Sequence, residues 1–239
     1  MQQQSSVGDN LAAGNAAWSF AGETCHTFAQ HVRRSVPLYE EGHGLVCSLS
    51  DFFVKPGSVC YELGSSIGEL TTRLAQHNHG KPDVRWIGLD QEETMTDKAR
   101  AGCRSANVNF ETADINLYAY EKSDFIVAYY TIQFVPPRLR QELFNRLFET
   151  LNWGGALVLF EKVRGADARF QDILTSLYTE FKLQNGFTAE EIVAKTRSLK
   201  GVLEPFSTQG NLDLMKRAGF QDVMSVMKYT CFEGFLAIK

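Results

Sequence analysis

Five short apolar runs punctuate the middle of the chain, separated by mostly helical stretches, and few folds accommodate that rhythm. The runs cover residues 59–63, 84–90, 108–111, 125–130 and 156–161. Between them, 69–76 carries Leu70 and Leu74 on one face, 92–105 has helical patterning, and 138–151 sets Leu139, Leu143, Leu147 and Leu151 one turn apart. The run at 125–130 is apolar along most of its length, as a strand covered on both faces must be. Strands that alternate with helices specify a doubly wound α/β sheet, mostly parallel, with helices on both faces. Two last runs, 223–229 and 235–238, are too close in sequence for a crossover, so they predict a closing antiparallel hairpin.

The rest of the chain departs from this pattern in two places. Residues 1–16 are polar and small, which predicts a loose tail. From Trp18 to Asp51 the patterning is helical with an interruption at Pro37, so 17–55 reads as a helical cap. Residues 167–207 break the alternation with two helices, over 168–185 and 188–199, which read as a lid across the carboxyl edge of the sheet. A further helix is expected at 211–217. With 239 residues and 44% apolar side chains, residues 17–239 can bury one core unaided. The five cysteines are odd in number, widely spaced and without a CxxC pair, so reduced thiols in the cytoplasm are expected. The start, MQQQSSVGDN, has no signal-peptide pattern, and no apolar run reaches the ~18 residues of a membrane span. A net charge of −4 disfavours nucleic acid as a partner.

Ligands of such sheets bind beyond the carboxyl ends of the strands, where the winding reverses. The turn after the first strand is Glu62-Leu63-Gly64-Ser65-Ser66-Ile67-Gly68. Gly64 allows close approach of backbone to ligand, and the helix that follows offers free N–H groups. A structural tight turn would use the same glycines. A pyrophosphate would be repelled by Glu62, whereas an ammonium group would be attracted. Asp90 ends the second strand, where its carboxylate can accept two ribose hydroxyls, although such residues also cap helices. After the third strand, Asp114 could take an adenine amino proton while Ile115 faces the ring. An ammonium, a ribose and an adenine without phosphate describe S-adenosyl-L-methionine.

The arrangement resembles the class I S-adenosylmethionine-dependent methyltransferases, with a Rossmann-like seven-stranded sheet ending in an antiparallel hairpin. From about Trp18 to Lys239 the chain is more specifically similar to the carboxy-S-adenosyl-L-methionine synthase family. The likeness is carried by Arg34-Ser35-Val36-Pro37-Leu38-Tyr39, Phe53-Val54-Lys55-Pro56-Gly57, the turn at 61–68, Thr131-Ile132-Gln133-Phe134 and Leu151-Asn152-Trp153-Gly154-Gly155. Glu161-Lys162, Phe181-Lys182, Asn185-Gly186-Phe187 and Ala218-Gly219-Phe220 extend it. The resemblance implies that Tyr39 closes over the cofactor, with Gly64, Ser65, Ser66, Asp90, Gln91, Asp114 and Ile115 along its length, and that the protein is a homodimer. It departs from the family at three points. Glu62 stands for an aspartate, Tyr129 for an asparagine near the cofactor, and Thr196 for the arginine that grips the extra carboxylate of the carboxylated cofactor. Arg197 is one residue further on, about 100° around a helix.

These readings predict a methyltransferase acting on a small metabolite, with S-adenosyl-L-methionine or its carboxylated derivative as cofactor. Tyr129 would touch the cofactor, and Tyr130, Tyr178 and Arg197 the substrate. The alternatives are the synthase reaction from S-adenosylmethionine and prephenate, and a non-catalytic cofactor-binding module. No metal constellation is expected, since His77 and His79 lack nearby acids or thiols. His26, His31 and His43 are candidates for a general base, and Phe170, Phe181 and Phe187 for cavity lining or packing.

Overall fold

The computed structural model describes residues 4–9, 11–20 and 24–239. Seven of its strands form one sheet: β3 (Val59–Leu63), β4 (Arg85–Asp90), β5 (Val108–Thr112), β6 (Ser123–Tyr129), β7 (Leu151–Lys162), β8 (Asp222–Tyr229) and β9 (Phe232–Ile238). Their order is β5-β4-β3-β6-β7-β9-β8, with β9 antiparallel to both of its neighbours and the other pairings parallel. The chain winds outward from β3 to β5 and then returns to β6 on the other side of β3. That reversal puts the switch point between the tips of β3 and β6.

Strand β6 is buried along its whole length and divides the core by the alternation of its side chains. Ile126 and Ala128 join Leu143, Phe144 and Leu147 of α5 (Pro137–Thr150), with Leu214 and Met215 of α8 (Thr208–Ala218). Phe125, Val127 and Tyr129 face Val46 of α2 (Tyr39–Ser50) and Leu70 and Leu74 of α3 (Glu69–His77). The remaining helix beside the sheet is α4 (Glu93–Gly102), between β4 and β5. The cap is two helices, α1 (Thr24–Ser35) and α2, parted at Pro37 by a left-handed Leu38 at φ 56°. The lid is α6 (Ala168–Gln184) and α7 (Ala189–Ser198), each starting on a side-chain cap, Asp167 and Thr188.

Three expectations are corrected. The N-terminal segment is not a loose tail in its described part: β1 (Ser5–Gly8) and β2 (Leu11–Ala13) form an antiparallel hairpin. Val7, Leu11, Ala13 and Trp18 are buried, against Ala194 and Leu199 of the lid. The apolar side chains are few, but they face one way, and the backbone of Ala16 and Trp18 donates to the carbonyls of Arg197 and Ser198. Those carbonyls lie in the last turn of α7, where helix carbonyls lack their full intrahelical partners. Second, Trp153-Gly154-Gly155 is a bulge and not the turn before the strand, because β7 already pairs at Leu151. Leu151 opposes Ser123 and Ala156 opposes Phe125, so the surplus is absorbed around Gly154 at φ 76°. Third, α8 starts at Thr208, earlier than residue 211, because the Ser207 hydroxyl caps it by accepting from the Gly210 N–H at 3.1 Å.

Candidate active site

The turn after β3 is built around residues with positive φ: Gly64 at 73°, Ser66 at 49° and Gly68 at 79°. A Cβ on Gly64 would collide with the Thr131 side chain, so a larger residue is excluded by space as well as by conformation. The N–H groups of Gly64 and Ser65 both donate to the Leu89 carbonyl, at 2.7 and 2.9 Å, which ties this turn to the end of β4. Asp90 completes the tie: one carboxylate oxygen accepts from the Ser66 N–H at 2.8 Å, the other from the Glu92 N–H at 2.9 Å. Burial raises its pKa and those backbone bonds oppose the rise. The carboxylate keeps acceptor capacity beyond these bonds for a ligand hydroxyl.

Glu62 lies behind the turn, 4% exposed, and accepts from the Thr71 hydroxyl. Burial pushes its carboxyl up to about 8, with the Asp90 and Glu69 charges adding to the rise. A cation beside such an acid favours its ionised form, which is the property an ammonium-bearing ligand would use. The Ser65 hydroxyl is buried without a partner in the same turn. Further along the edge, Asp114 is exposed and accepts from the N–H and side-chain amide of Asn116, both at 2.8 Å, while Ile115 is buried and Gln91 exposed. The acids of three neighbouring strand tips therefore follow one another along the edge, and with the orphaned Ser65 hydroxyl they fit a nucleoside with an amino-acid end.

Tyr39 opens α2 beside them, its ring 4.5 Å from His43 and 5.3 Å from Tyr129. Burial and the nearby Glu62 charge raise its phenol pKa. Tyr129, expected on the cofactor, is only 7% exposed and donates to the Tyr39 carbonyl at 2.7 Å. A Cβ on Gly42 would strike its hydroxyl, so the phenol is lodged under α2 and anchors the segment that carries Tyr39. His43, 4.8 Å from the Tyr129 ring, is held down to about 4 by burial, and its Nε2 has no partner. His31 is buried in the cap and likewise lowered to about 4, and the side chain of His26 lies outside the described residues.

Tyr130 has φ 60°, a conformation non-glycine residues seldom hold, at the tip of β6. Its ring is 5.7 Å from Phe232, which in turn is 5.2 Å from Tyr178 of the lid. The Tyr178 hydroxyl donates to the Ser35 carbonyl at 2.8 Å and so fastens α6 to the cap. Arg197 is not brought to this group. It is exposed in an outer groove of about 550 Å³ that it shares with Ser5, Asn15 and Glu190. Thr196 is exposed too, its hydroxyl turned back to the Ile192 carbonyl at 2.8 Å. Phe187 is buried and Phe170 exposed, and Phe181 stacks 6.4 Å from Tyr178. Sequence reasoning overlooked Thr71 and Thr131, which support Glu62 and fill the space beside Gly64. A polar Thr71 on the Leu70–Leu74 stripe of α3 was the available signal for the first.

Residues 61–155 match the methyltransferase domain family. A carboxy-S-adenosyl-L-methionine synthase of Staphylococcus epidermidis is 33% identical over 223 residues, covering 93% of this chain and 97% of that protein. The Sulfurimonas denitrificans protein of the same name is 32% identical over 228 residues, with 93% and 94% covered. Human N-acetylserotonin methyltransferase in complex with S-adenosylmethionine superposes with a TM-score of 0.60 at 17% identity, over 90% of this chain and 55% of that one, a likeness of fold alone. The chain belongs to the carboxy-S-adenosyl-L-methionine synthase family and is an S-adenosylmethionine-dependent transferase with the class I methyltransferase fold.

Proposed function

We propose that the chain holds S-adenosyl-L-methionine across the tips of β3, β4 and β5 and directs its methyl group in line onto a small-molecule acceptor under the lid. The observation that carries this reading is the bond between Asp90 and the Ser66 N–H, which makes the glycine turn and the ribose-binding carboxylate one rigid unit. Glu62 takes the ammonium end, Asp90 the ribose, and Asp114 with Ile115 the adenine. Gly64, Ser65, Ser66 and Gln91 line the length of the cofactor, and Tyr39 closes over it.

When bound, S-adenosylmethionine supplies a methyl group that is already electrophilic. The chain's own part is alignment and exclusion of water, and alignment can supply ~7 kcal/mol or more. Tyr39, on the segment anchored by Tyr129, and Tyr178, tied to Ser35, close the cap and lid over the reacting atoms. Tyr130, held in its strained conformation, offers a ring surface to the acceptor.

The synthase reaction, from S-adenosylmethionine and prephenate, is a second reading, favoured by the full-length likeness to relatives of that name. Arg197, exposed in its outer groove, does not support it. Incubation with S-adenosylmethionine and prephenate, followed by mass spectrometry of the nucleoside, separates the two. A nucleoside heavier by one CO2 means the synthase; S-adenosylhomocysteine with a methylated metabolite from an extract means methyl transfer. Calorimetry that finds no binding of S-adenosylhomocysteine would overturn both.

The protein is also read as a cytoplasmic homodimer without nucleic acid. Cys47, Cys60, Cys103 and Cys231 are free, which suits a reducing compartment. Among the described residues no helix is long and apolar enough to cross a membrane. Phe170, Ile173 and Leu177 stand exposed at helical spacing on α6 and support a self-association face. Sedimentation equilibrium tests it, and a monomer at 10 to 100 µM, about the usual working range for weak dimers, rejects it.

A further inference from the structure

Beside Tyr130 the structure gathers lysines that the proposed cofactor site does not use. Lys162 ends β7, next to β6 in the sheet and two residues beyond Phe160, which opposes Tyr129. Its ammonium lies 4.2 Å from the centroid of the Tyr178 ring and 5.9 Å from that of Phe232. Lys182, on α6 of the lid, reaches the same Tyr178 ring from its own side of the fold, at 4.5 Å. It is 8% exposed, although a lysine is rarely that buried without a carboxylate.

Neither lysine makes a salt bridge among the described residues. The acidic group that faces both is the Cys231 thiol, and burial raises its pKa, so it supplies no anion. Lys195 of α7 adds a third amine on the Lys182 side, packed over Trp18. The acid it faces, Asp9, is already engaged by Arg34 and His31. Burial lowers all three pKa values: Lys162 with the Arg164 and Lys200 charges adding, Lys182 to about 8 with the Lys162 charge adding, and Lys195 to about 6 with the Lys182 charge adding. Amines so placed give up protons readily, and an anion that comes to them favours their charged form. The cation–π contacts with Tyr178 and Phe232 hold the stems but leave the N–H donors free.

We propose that Lys162 and Lys182 form an anion subsite under the lid and hold a carboxylate or phosphate group of the molecule on which the enzyme acts. The subsite joins β7 to α6, so an anion bound there links the sheet to the lid and pulls the lid down over the strand tips. It also restricts the acceptor to molecules that carry such a group. This inference rests on reading the strand tips as the cofactor site, since that reading sets the acceptor on the Tyr130 side.

The test uses the full chain saturated with S-adenosylhomocysteine, titrated with malonate and separately with inorganic phosphate at constant ionic strength, against chloride. Thermal unfolding and calorimetry follow each titration. One of the two anions should bind and raise the unfolding temperature, malonate if the recognised group is a carboxylate and phosphate if it is a phosphate. Lys162→Met and Lys182→Met should each weaken that anion at least tenfold, while Lys182→Arg retains it. Their affinity for S-adenosylhomocysteine should stay within twofold of the original. Removal of an unpaired buried charge does not threaten folding, so the methionine variants remain readable. The subsite is rejected if neither anion differs from chloride, or if both methionine variants bind the anion as the original does. Loss of S-adenosylhomocysteine binding by the unaltered chain would instead reject the cofactor reading, and the anion titration without it still reports on the lysines.

Discussion

Asp9 and Arg34 form an ion pair that joins the tip of the N-terminal hairpin to α1, and the Asp9 side chain is 2% exposed within it. The same carboxylate accepts from His31 Nδ1 at 2.7 Å, and Arg34 donates through Nε to the Asn185 carbonyl at the end of α6. Four segments that are remote in sequence therefore meet on one acid: hairpin, cap, first lid helix and, through the hairpin's packing, α7.

Removal of that acid leaves a half-buried guanidinium and a buried imidazole without their partner. Breaking a buried pair by deleting one member costs ~3 kcal/mol or more. Asp9→Ala should therefore lower the thermal midpoint by ~6 °C or more for a chain of this length. It should also open the N-terminal segment to proteases before the sheet. A midpoint unchanged within error would mean that the hairpin is held by Val7, Leu11 and Trp18 alone.

His31 gives a second, pH-dependent signature. Its folded pKa of about 4 lies below the ordinary 6.5, with burial the largest cause and the Lys195 charge the next. The unfolded chain therefore binds the proton that the folded chain refuses. Its contribution to stability is present above pH 6.5 and is lost as the pH falls toward 4. Across that window the effect is on the order of 3 kcal/mol for one such group. Denaturant unfolding at pH 7 and pH 4.5 should show a smaller loss for His31→Asn than for the unaltered chain. Equal losses would show that other groups govern the acid limb.

The sheet was legible in the sequence because its central strands are buried: every position of β6 is covered, and from Phe125 onward its apolar run stood out. The three acids were legible for a related reason, since Glu62 interrupts an apolar run, Asp90 ends one and Asp114 follows one, where a charge is out of place unless something uses it. The hairpin was not legible, because Val7, Leu11 and Ala13 are three small signals in a polar stretch and their partner, α7, lies far away in sequence. Tyr129 was read by its position at a strand tip, but the absence of a side chain on Gly42 makes room for the ring under α2. Complementarity of that kind exists only in three dimensions.

Gly64 and Thr131 offer a test of the turn itself. Alanine at 64 would have to hold φ 73° and displace the Thr131 side chain. The conformational part costs about 1 kcal/mol and the collision adds to it. Gly64→Ala should lose stability and bind S-adenosylhomocysteine at least tenfold more weakly. Gly64→Ala with Thr131→Ala should recover part of the stability, because the collision is relieved while the strain stays. A double variant no better than the sum of the two single ones would show that Thr131 does not set the space.

Glu62 decides how the cofactor should respond to pH. Its carboxyl, at about 8 with burial as the main cause, holds a proton in the free protein at neutral pH. A ligand ammonium beside it favours the ionised form, so binding below pH 8 must expel that proton. Affinity for S-adenosylhomocysteine should rise about tenfold per pH unit toward 8. Above 8 the rise should level off, and affinity should fall only once the ligand's α-amino group becomes neutral. Calorimetry in two buffers of different ionisation enthalpy should count close to one proton released at pH 6.5. Glu62→Gln keeps the Thr71 hydrogen bond but not the titration, so its affinity should be weaker and flat below pH 8, with no proton released. The folded pKa lies above the unfolded one, so Glu62 costs stability increasingly from pH 4.5 to 8, and Glu62→Gln should unfold at a higher temperature than the unaltered chain at pH 8. A variant that still releases the proton would move the ammonium site away from Glu62.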